Sequence, residues 1–185
     1  METIDDYKKK IHSLSCNNES IMFMNADNEK ALSVFVELFH RANEMIRLYS
    51  GALVNTEVSN NPQFIAALSD FLEKDGVKLE ILLNDYRECL FENTPLYKRL
   101  SFYNSNGSDI TIRRTEKKLY FARPGQEKTE CHFCVCDLAS YRLEIDIENR
   151  SAICNFNDTV GAGVLIERFD EMFNQSEIIV FSAAN

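Results

Sequence analysis

A chain of 185 residues with 45% hydrophobic and 26% charged residues has the composition of a globular domain, long enough to bury roughly 70% of its unfolded surface without staples. Its net charge of −9 excludes a DNA-coating protein of the usual basic kind, because phosphate contact drives such binding; a local basic site stays compatible. No apolar run approaches the ~20 residues that cross a bilayer, and Met1–Lys10 is charged with no apolar signal core, so a cytosolic protein without membrane association is expected.

In chain order, Ile4, Tyr7, Ile11 and Leu14 recur at helical spacing and predict a short amphipathic helix over 3–14, with Thr3 as its cap. Residues 20–24 read as a short strand. Ala31, Val34, Phe35, Leu38, Ala42 and Met45 then predict a helix over about 28–44 with Asp27 as N-cap. Met45–Ser50 reads as a strand stopped by Gly51. Asn61 followed by Pro62 marks the start of a helix over 62–73, since proline suits the first helical position. Val77–Leu83 is the next strand, and strand–helix–strand at this spacing predicts a parallel pair.

Helical turns are expected over 85–91 and 96–102, a turn at 104–108, a strand over 109–113 and a loop at Arg123–Gly125. Cys131–Cys136 and Tyr141–Ile147 read as two strands joined by a tight turn at Asp137–Ser140, a hairpin. In the second strand Tyr141, Leu143, Ile145 and Ile147 alternate with Arg142, Glu144, Asp146 and Glu148, so the two sets face opposite sides. Residues 151–155 suggest another strand, Asp158 caps a helix over 159–174, and 176–181 suggests a last strand. The prediction is one α/β domain, with an N-terminal helix and short strand over 1–27 leading into a mixed sheet flanked by helices over 28–185.

Six cysteines are present, at 16, 89, 131, 134, 136 and 154. Cys131 and Cys134 form a CxxC around His132. A zinc site needs a second ligand pair and none is visible, so buried-strand cysteines acting as small hydrophobes are the favoured reading; no metal and no cofactor are expected. His12 and His40 read as surface or boundary residues. Arg113, Arg114, Lys117, Lys118, Arg123 and Lys128 crowd one segment. Of these, Arg113, Arg114, Lys117 and Lys118 are the candidate phosphate- or partner-binding set, against the plainer reading of a solvated charged hairpin.

The segment ECHFCVCDLASYRLEIDIENRSAICNFNDTVGAGVLIERFDEMF from Glu130, with the upstream pair IRLYS and KLEILLND, resembles one half of the phospholipase D-like fold over about residues 28–175. That family carries H-x-K-x4-D on a strand. With Asp137 on the motif aspartate, the lysine position falls on His132 and the histidine position on Glu130. With His132 on the motif histidine, Cys134 and Ala139 replace the lysine and aspartate. Neither register restores the motif.

The resemblance implies what is lost. The family's histidine attacks phosphorus, its lysine neutralises phosphate oxygens, and a second histidine protonates the leaving group. A carboxylate at the nucleophile position repels a phosphodiester, so a non-catalytic domain is favoured. It would act as a protein-interaction or regulatory component of a larger prokaryotic complex, in a DNA-processing or anti-phage setting. The alternative is a phosphodiesterase or nuclease with a rearranged site at a dimer interface, its candidates being Glu130, His132, Asp137, Arg142 and Glu144. A structural ion-pair network among the same residues is the plainer reading. Because two such halves normally pack together, the resemblance implies a homodimer or a subunit of a hetero-complex, with nucleic acid reached through the basic segment or a partner. The P-loop and Rossmann phosphate loops are absent, which argues against nucleotide hydrolysis by those routes.

Overall fold

A computed structural model describes residues 2–122, 125 and 127–181. The parallel unit forms as the spacing requires. Strand β2 (Met45–Ser50) runs through helix α3 (Pro62–Leu72) to strand β3 (Lys78–Leu83), and β3 lies parallel to β4 (Asp109–Arg114). Strands β7 (His132–Cys136) and β8 (Ser140–Asp146) make the hairpin, and β7 pairs antiparallel with β2. With β1 (Phe23–Asn25), β9 (Ser151–Asn155) and β10 (Glu177–Ile179), they complete one mixed eight-stranded sheet in the order β1-β9-β8-β7-β2-β3-β4-β10. A separate two-stranded ribbon, β5 (Tyr120–Phe121) with β6 (Thr129–Glu130), stands where the sequence suggested only a charged hairpin and a loop. Arg123 and Pro124 lie outside the described residues.

Both faces of the sheet are covered. Helices α1 (Ile4–Cys16), α2 (Asn28–Arg41), α3 and α5 (Pro95–Ser105) share one core with Ile46, Leu48, Leu79, Ile81 and Cys134. Helix α6 (Thr159–Asn174) covers the other face, with Phe169 and Phe173 against Tyr49, Phe133 and Tyr141. The short helix α4 (Glu88–Phe91) adds the buried Phe91 to the first core. The caps are those the sequence marked: the side chains of Thr3, Asp27, Asn61 and Asp158 each accept a first-turn N–H of their helix. Thr94 before Pro95 caps α5 by the same device, which makes the second expected turn a full helix.

Helix α2 ends at Arg41, not near 44, and the reason is local. The N–H groups of Asn43, Glu44 and Met45 turn to the carboxylate of Asp137 at 2.9–3.3 Å. The Lys74 ammonium takes the carbonyls of His40 and Ala42. Backbone groups the helix would have used are thus satisfied elsewhere.

The alternation expected along β8 holds as far as Ile145, which packs in the same cluster as Tyr141 and Leu143. A register shift between Glu144 and Asp146 then interrupts it, as a bulge does by adding an unpaired residue. Ile147 consequently lines the same cavity as Arg142 and Glu144, and does not continue the row of Tyr141 and Leu143. The first half of the polar row does not face water: α2 packs over it and leaves Arg142 2% and Glu144 4% exposed, while Asp146 is half-buried and Glu148 exposed.

Candidate functional site

Because β7 runs antiparallel to β2, its first residues meet the carboxyl end of β2, and His132 arrives beside Gly51, whose Cα would place a Cβ 3.5 Å from the imidazole Cε1. His132 stands opposite Glu144 on β8. The site therefore sits at the carboxyl ends of the parallel strands, where open α/β sheets hold their ligands.

Glu144 is its centre. One carboxylate oxygen accepts from the Arg142 Nη2 at 3.1 Å; the other lies 3.4 Å from the His132 Nδ1 and 3.7 Å from the Arg150 Nη1. Arg142 is held in turn: Nε donates to Asn25 Oδ1 at 3.1 Å, Nη2 to the Arg150 carbonyl at 3.0 Å, and the guanidinium lies over the Phe35 ring. Asn25 donates to that same carbonyl. A buried cation and a buried anion are thus paired and multiply hydrogen-bonded, the condition under which such charges are tolerated.

Burial by itself would raise the Glu144 carboxyl. The His132 contact and the Arg142 and Arg150 guanidinium groups outweigh burial and hold it below its ordinary 4.5. A depressed carboxyl contributes stability that is present above the unfolded value and lost as pH falls through the folded one. Stability from this group should therefore decline only below about 4.5. Glu144→Gln should flatten that part of the acid limb, read from urea unfolding at a series of pH values; an acid limb of unchanged slope would contradict the assignment.

Glu130 belongs to a neighbouring, more open cluster. Its carboxylate takes the Lys118 ammonium at 2.6 Å and the Asn84 amide at 3.2 Å. Asn84 also donates to the Tyr49 hydroxyl at 2.7 Å, which accepts in addition from the Leu119 N–H. The hydrogen bond to Glu130 raises the Lys118 ammonium above its usual range. His132 lies between the two clusters. Its Nε2 is 3.8 Å from Glu130 Oε1 and, though buried, has no hydrogen-bond partner. With a proton on Nδ1 facing Glu144, Nε2 is a bare acceptor.

Of the sequence candidates, the fold gathers Glu130, His132, Arg142 and Glu144. Asp137 is not with them: it occupies the far end of β7, in the left-handed region at φ 52°, holding the backbone after α2. The basic segment is largely spoken for. Arg113 lies over the Phe173 ring and donates to the Phe173 and Ser176 carbonyls. Arg114 forms a two-pronged pair with Glu177, Lys117 bonds Gln175, and Lys118 bonds Glu130. Sequence reasoning passed over Asn25 and Asn84, uncharged and distant in sequence, and Arg150, which lies in the turn after β8; the three complete the network. Cys131 and Cys134 fall on opposite faces of the sheet, one in each core, so they cannot share a metal ion. Burial and the nearby Glu130 push the Cys131 thiol up to about 11. Among the described residues no group of three or more His, Cys, Asp or Glu side chains is placed to hold a metal, and no helix is long and apolar enough to cross a membrane.

No family model and no curated protein matches this sequence. Solved structures do match. TrmBL2, an archaeal chromatin protein whose structure shows a novel mode of DNA binding, superposes with a TM-score of 0.60 at 16% identity, over 95% of this chain and 62% of that one. This chain therefore spans somewhat under two thirds of TrmBL2. Nuc from Salmonella typhimurium, a phospholipase D family member, matches with a TM-score of 0.56 at 16% identity, over 87% of this chain and 99% of Nuc. NucT from Helicobacter pylori gives 0.53 at 10% identity, over 87% and 100%. The fold is that of a phospholipase D-like half-domain.

Proposed function

We propose that this chain is a non-catalytic phospholipase D-fold domain, a protein-interaction or regulatory component of a larger assembly that works on nucleic acid, such as DNA processing or anti-phage defence. One observation carries the reading. In the register that sets Asp137 on the motif aspartate, Glu130 and His132 fall at the histidine and lysine positions, and the imidazole is flanked by two carboxylates at 3.8 and 3.4 Å. A phosphodiester entering beside His132 would meet negative charge from both sides. At an effective dielectric near 20, each like-charge contact at ~4 Å costs ~4 kcal/mol. Lys118, the lysine beside Glu130, is already committed to it. The nucleic-acid setting is supported by the DNA binding of TrmBL2, which shares the fold at low identity. Self-association or docking on a partner subunit is part of the proposal, and light scattering of the purified chain, alone and with candidate partners, tests it.

The chemistry is tested directly. The purified chain should show no turnover of a chromogenic phosphodiester or of labelled single- and double-stranded DNA, with or without Mg²⁺, Mn²⁺ or Zn²⁺. His132→Ala should leave folding and assembly intact. A rearranged active site is the second reading, favoured by the unpartnered, buried Nε2 of His132. It predicts metal-dependent cleavage that disappears in both Glu130→Gln and His132→Ala, since removing an acid–base group costs ~10²–10⁴-fold in rate. That result would overturn the proposal.

A further inference from the structure

Cys131, Cys134, Cys136 and Cys154 are buried in the two cores, whereas Cys16 and Cys89 are exposed. Burial pushes the Cys154 thiol up to about 12, as it does Cys131 to about 11, which keeps both protonated and inert. The two exposed thiols differ in their company. Cys89, in α4, has no side chain bonded to its sulfur among the described residues. Cys16, the last residue of α1, does.

His12 lies one turn before Cys16 on α1, and spacing of four residues brings the two side chains together. The Cys16 sulfur is 3.5 Å from the His12 Nε2 and 4.0 Å from Nδ1, so it lies against the imidazole, nearer Nε2. The ring also meets α2, where Nδ1 is 3.1 Å from the Glu37 Oε1. The Glu37 side chain is 19% exposed against 65% for His12, so the carboxylate is the better-held member and orients the ring. With the Nδ1 proton directed at Glu37, Nε2 is the acceptor left for the thiol. A nucleophile, a base beside it and a third group that orients the base are the arrangement that activates a thiol.

One feature of the position opposes a sulfur anion: the carboxyl end of a helix carries partial negative charge. A cation covers that end here. Arg41, one turn beyond Glu37 on α2, donates to the Ser15 carbonyl and to the Asn18 side chain. Glu19, the nearby acid in the loop after α1, accepts from Asn17. Arg41 also donates to the Ser140 Oγ at 3.1 Å, at the start of β8, which sets the cluster apart from His132 and Glu144.

We propose that Cys16 is a reactive thiol that exchanges with small-molecule disulfides, with His12 as its base and Glu37 as the residue that positions the base. His12 Nε2 takes the Sγ proton. The Cys16 sulfur attacks one sulfur of the disulfide, whose S–S bond breaks as the new S–S bond forms. The departing thiolate takes the proton from the imidazolium and leaves as a thiol. One thiol and one disulfide enter and one of each leaves, so the exchange needs no further oxidant. An added thiol reverses it. The site stands whether or not the domain cleaves phosphodiesters.

Treating the full chain with hydroxyethyl disulfide or glutathione disulfide, and following each cysteine by peptide mass spectrometry, tests this with Cys89 as internal control. An ordinary thiol is only a few per cent thiolate at about pH 7, so Cys16 should react at least about tenfold faster than Cys89 there. At about pH 9.5 both are largely thiolate and the ratio should fall toward one. His12→Gln, at an exposed position, should bring the Cys16 rate at about pH 7 to that of Cys89 and leave the rate at about pH 9.5 little changed. Glu37→Gln should give a smaller loss in the same direction. Dithiothreitol should restore the unmodified mass, and circular dichroism should be the same for all variants. Equal rates of the two cysteines at about pH 7 would overturn the inference. So would an unchanged Cys16 rate in His12→Gln, or a preference for Cys16 of the same size at both pH values, which exposure alone would produce.

Discussion

Arg142→Ala should destabilise the domain by about 3–5 kcal/mol, the loss typical when one partner of a buried ion pair is removed and the other stays charged in the interior. Arg142 is 2% exposed and Glu144 4%, and nearby Arg150 is too far to replace the lost hydrogen bonds. The substitution also strips Asn25 Oδ1 and the Arg150 carbonyl of a donor. Urea unfolding with a common m-value measures the loss. The double change Arg142→Met with Glu144→Leu should recover most of it, because two apolar groups of similar bulk remove both charges together. A double variant as unstable as Arg142→Ala would mean that packing over Phe35, not charge pairing, is what the residue supplies.

Asp137→Ala is the second large effect, expected at about 3 kcal/mol with the cluster around Glu144 unaltered. One carboxylate serves three consecutive N–H groups, those of Asn43, Glu44 and Met45, and hydrogen bonds to a charged acceptor contribute ~1.5–3 kcal/mol each before the freed donors regain water. Alanine also tolerates φ 52° less well than aspartate. Asp137→Asn keeps one good acceptor and should cost clearly less. Amide exchange at residues 43–45 locates the damage. If exchange there stays slow in Asp137→Ala, the carboxylate is not what holds the junction between α2 and β2.

Periodicity made the sheet and the long helices legible. The 3–4 spacing of Val34, Phe35 and Leu38 and the alternation through Tyr141–Glu144 report burial directly, and the pair Asn61-Pro62 carries the cap chemistry in two letters; Thr94-Pro95 holds the same signal and was passed over. The site was half legible for the same reason: two-residue alternation puts Glu130 with His132, and Arg142 with Glu144. The remainder depended on partners that local pattern does not encode. Asn25 reaches Arg142 across 117 positions. A bulge with no sequence mark of its own turns Ile147 into the cavity wall. The partners of the basic segment were not legible either, because a run of cations looks alike whether it faces water or is matched, as here, by Glu177, Gln175 and Glu130.

Strand β1 forms early in the chain but hydrogen-bonds only to β9, Phe23 opposite Cys154 and Asn25 opposite Ala152. During synthesis from the amino end, β1 leaves the ribosome long before its partner exists. Until then the exposed Met22 and Met24 flank an unpaired edge, the kind of surface that invites wrong pairing in a nascent chain. β2 is caught the same way, since its antiparallel neighbour β7 also comes late. The parallel trio β2–β3–β4 can assemble first, while closure of the sheet on β1 waits for β9 and only the β10 edge pairing with β4 comes later in the order of translation. Such distant pairing slows folding relative to a domain of local contacts.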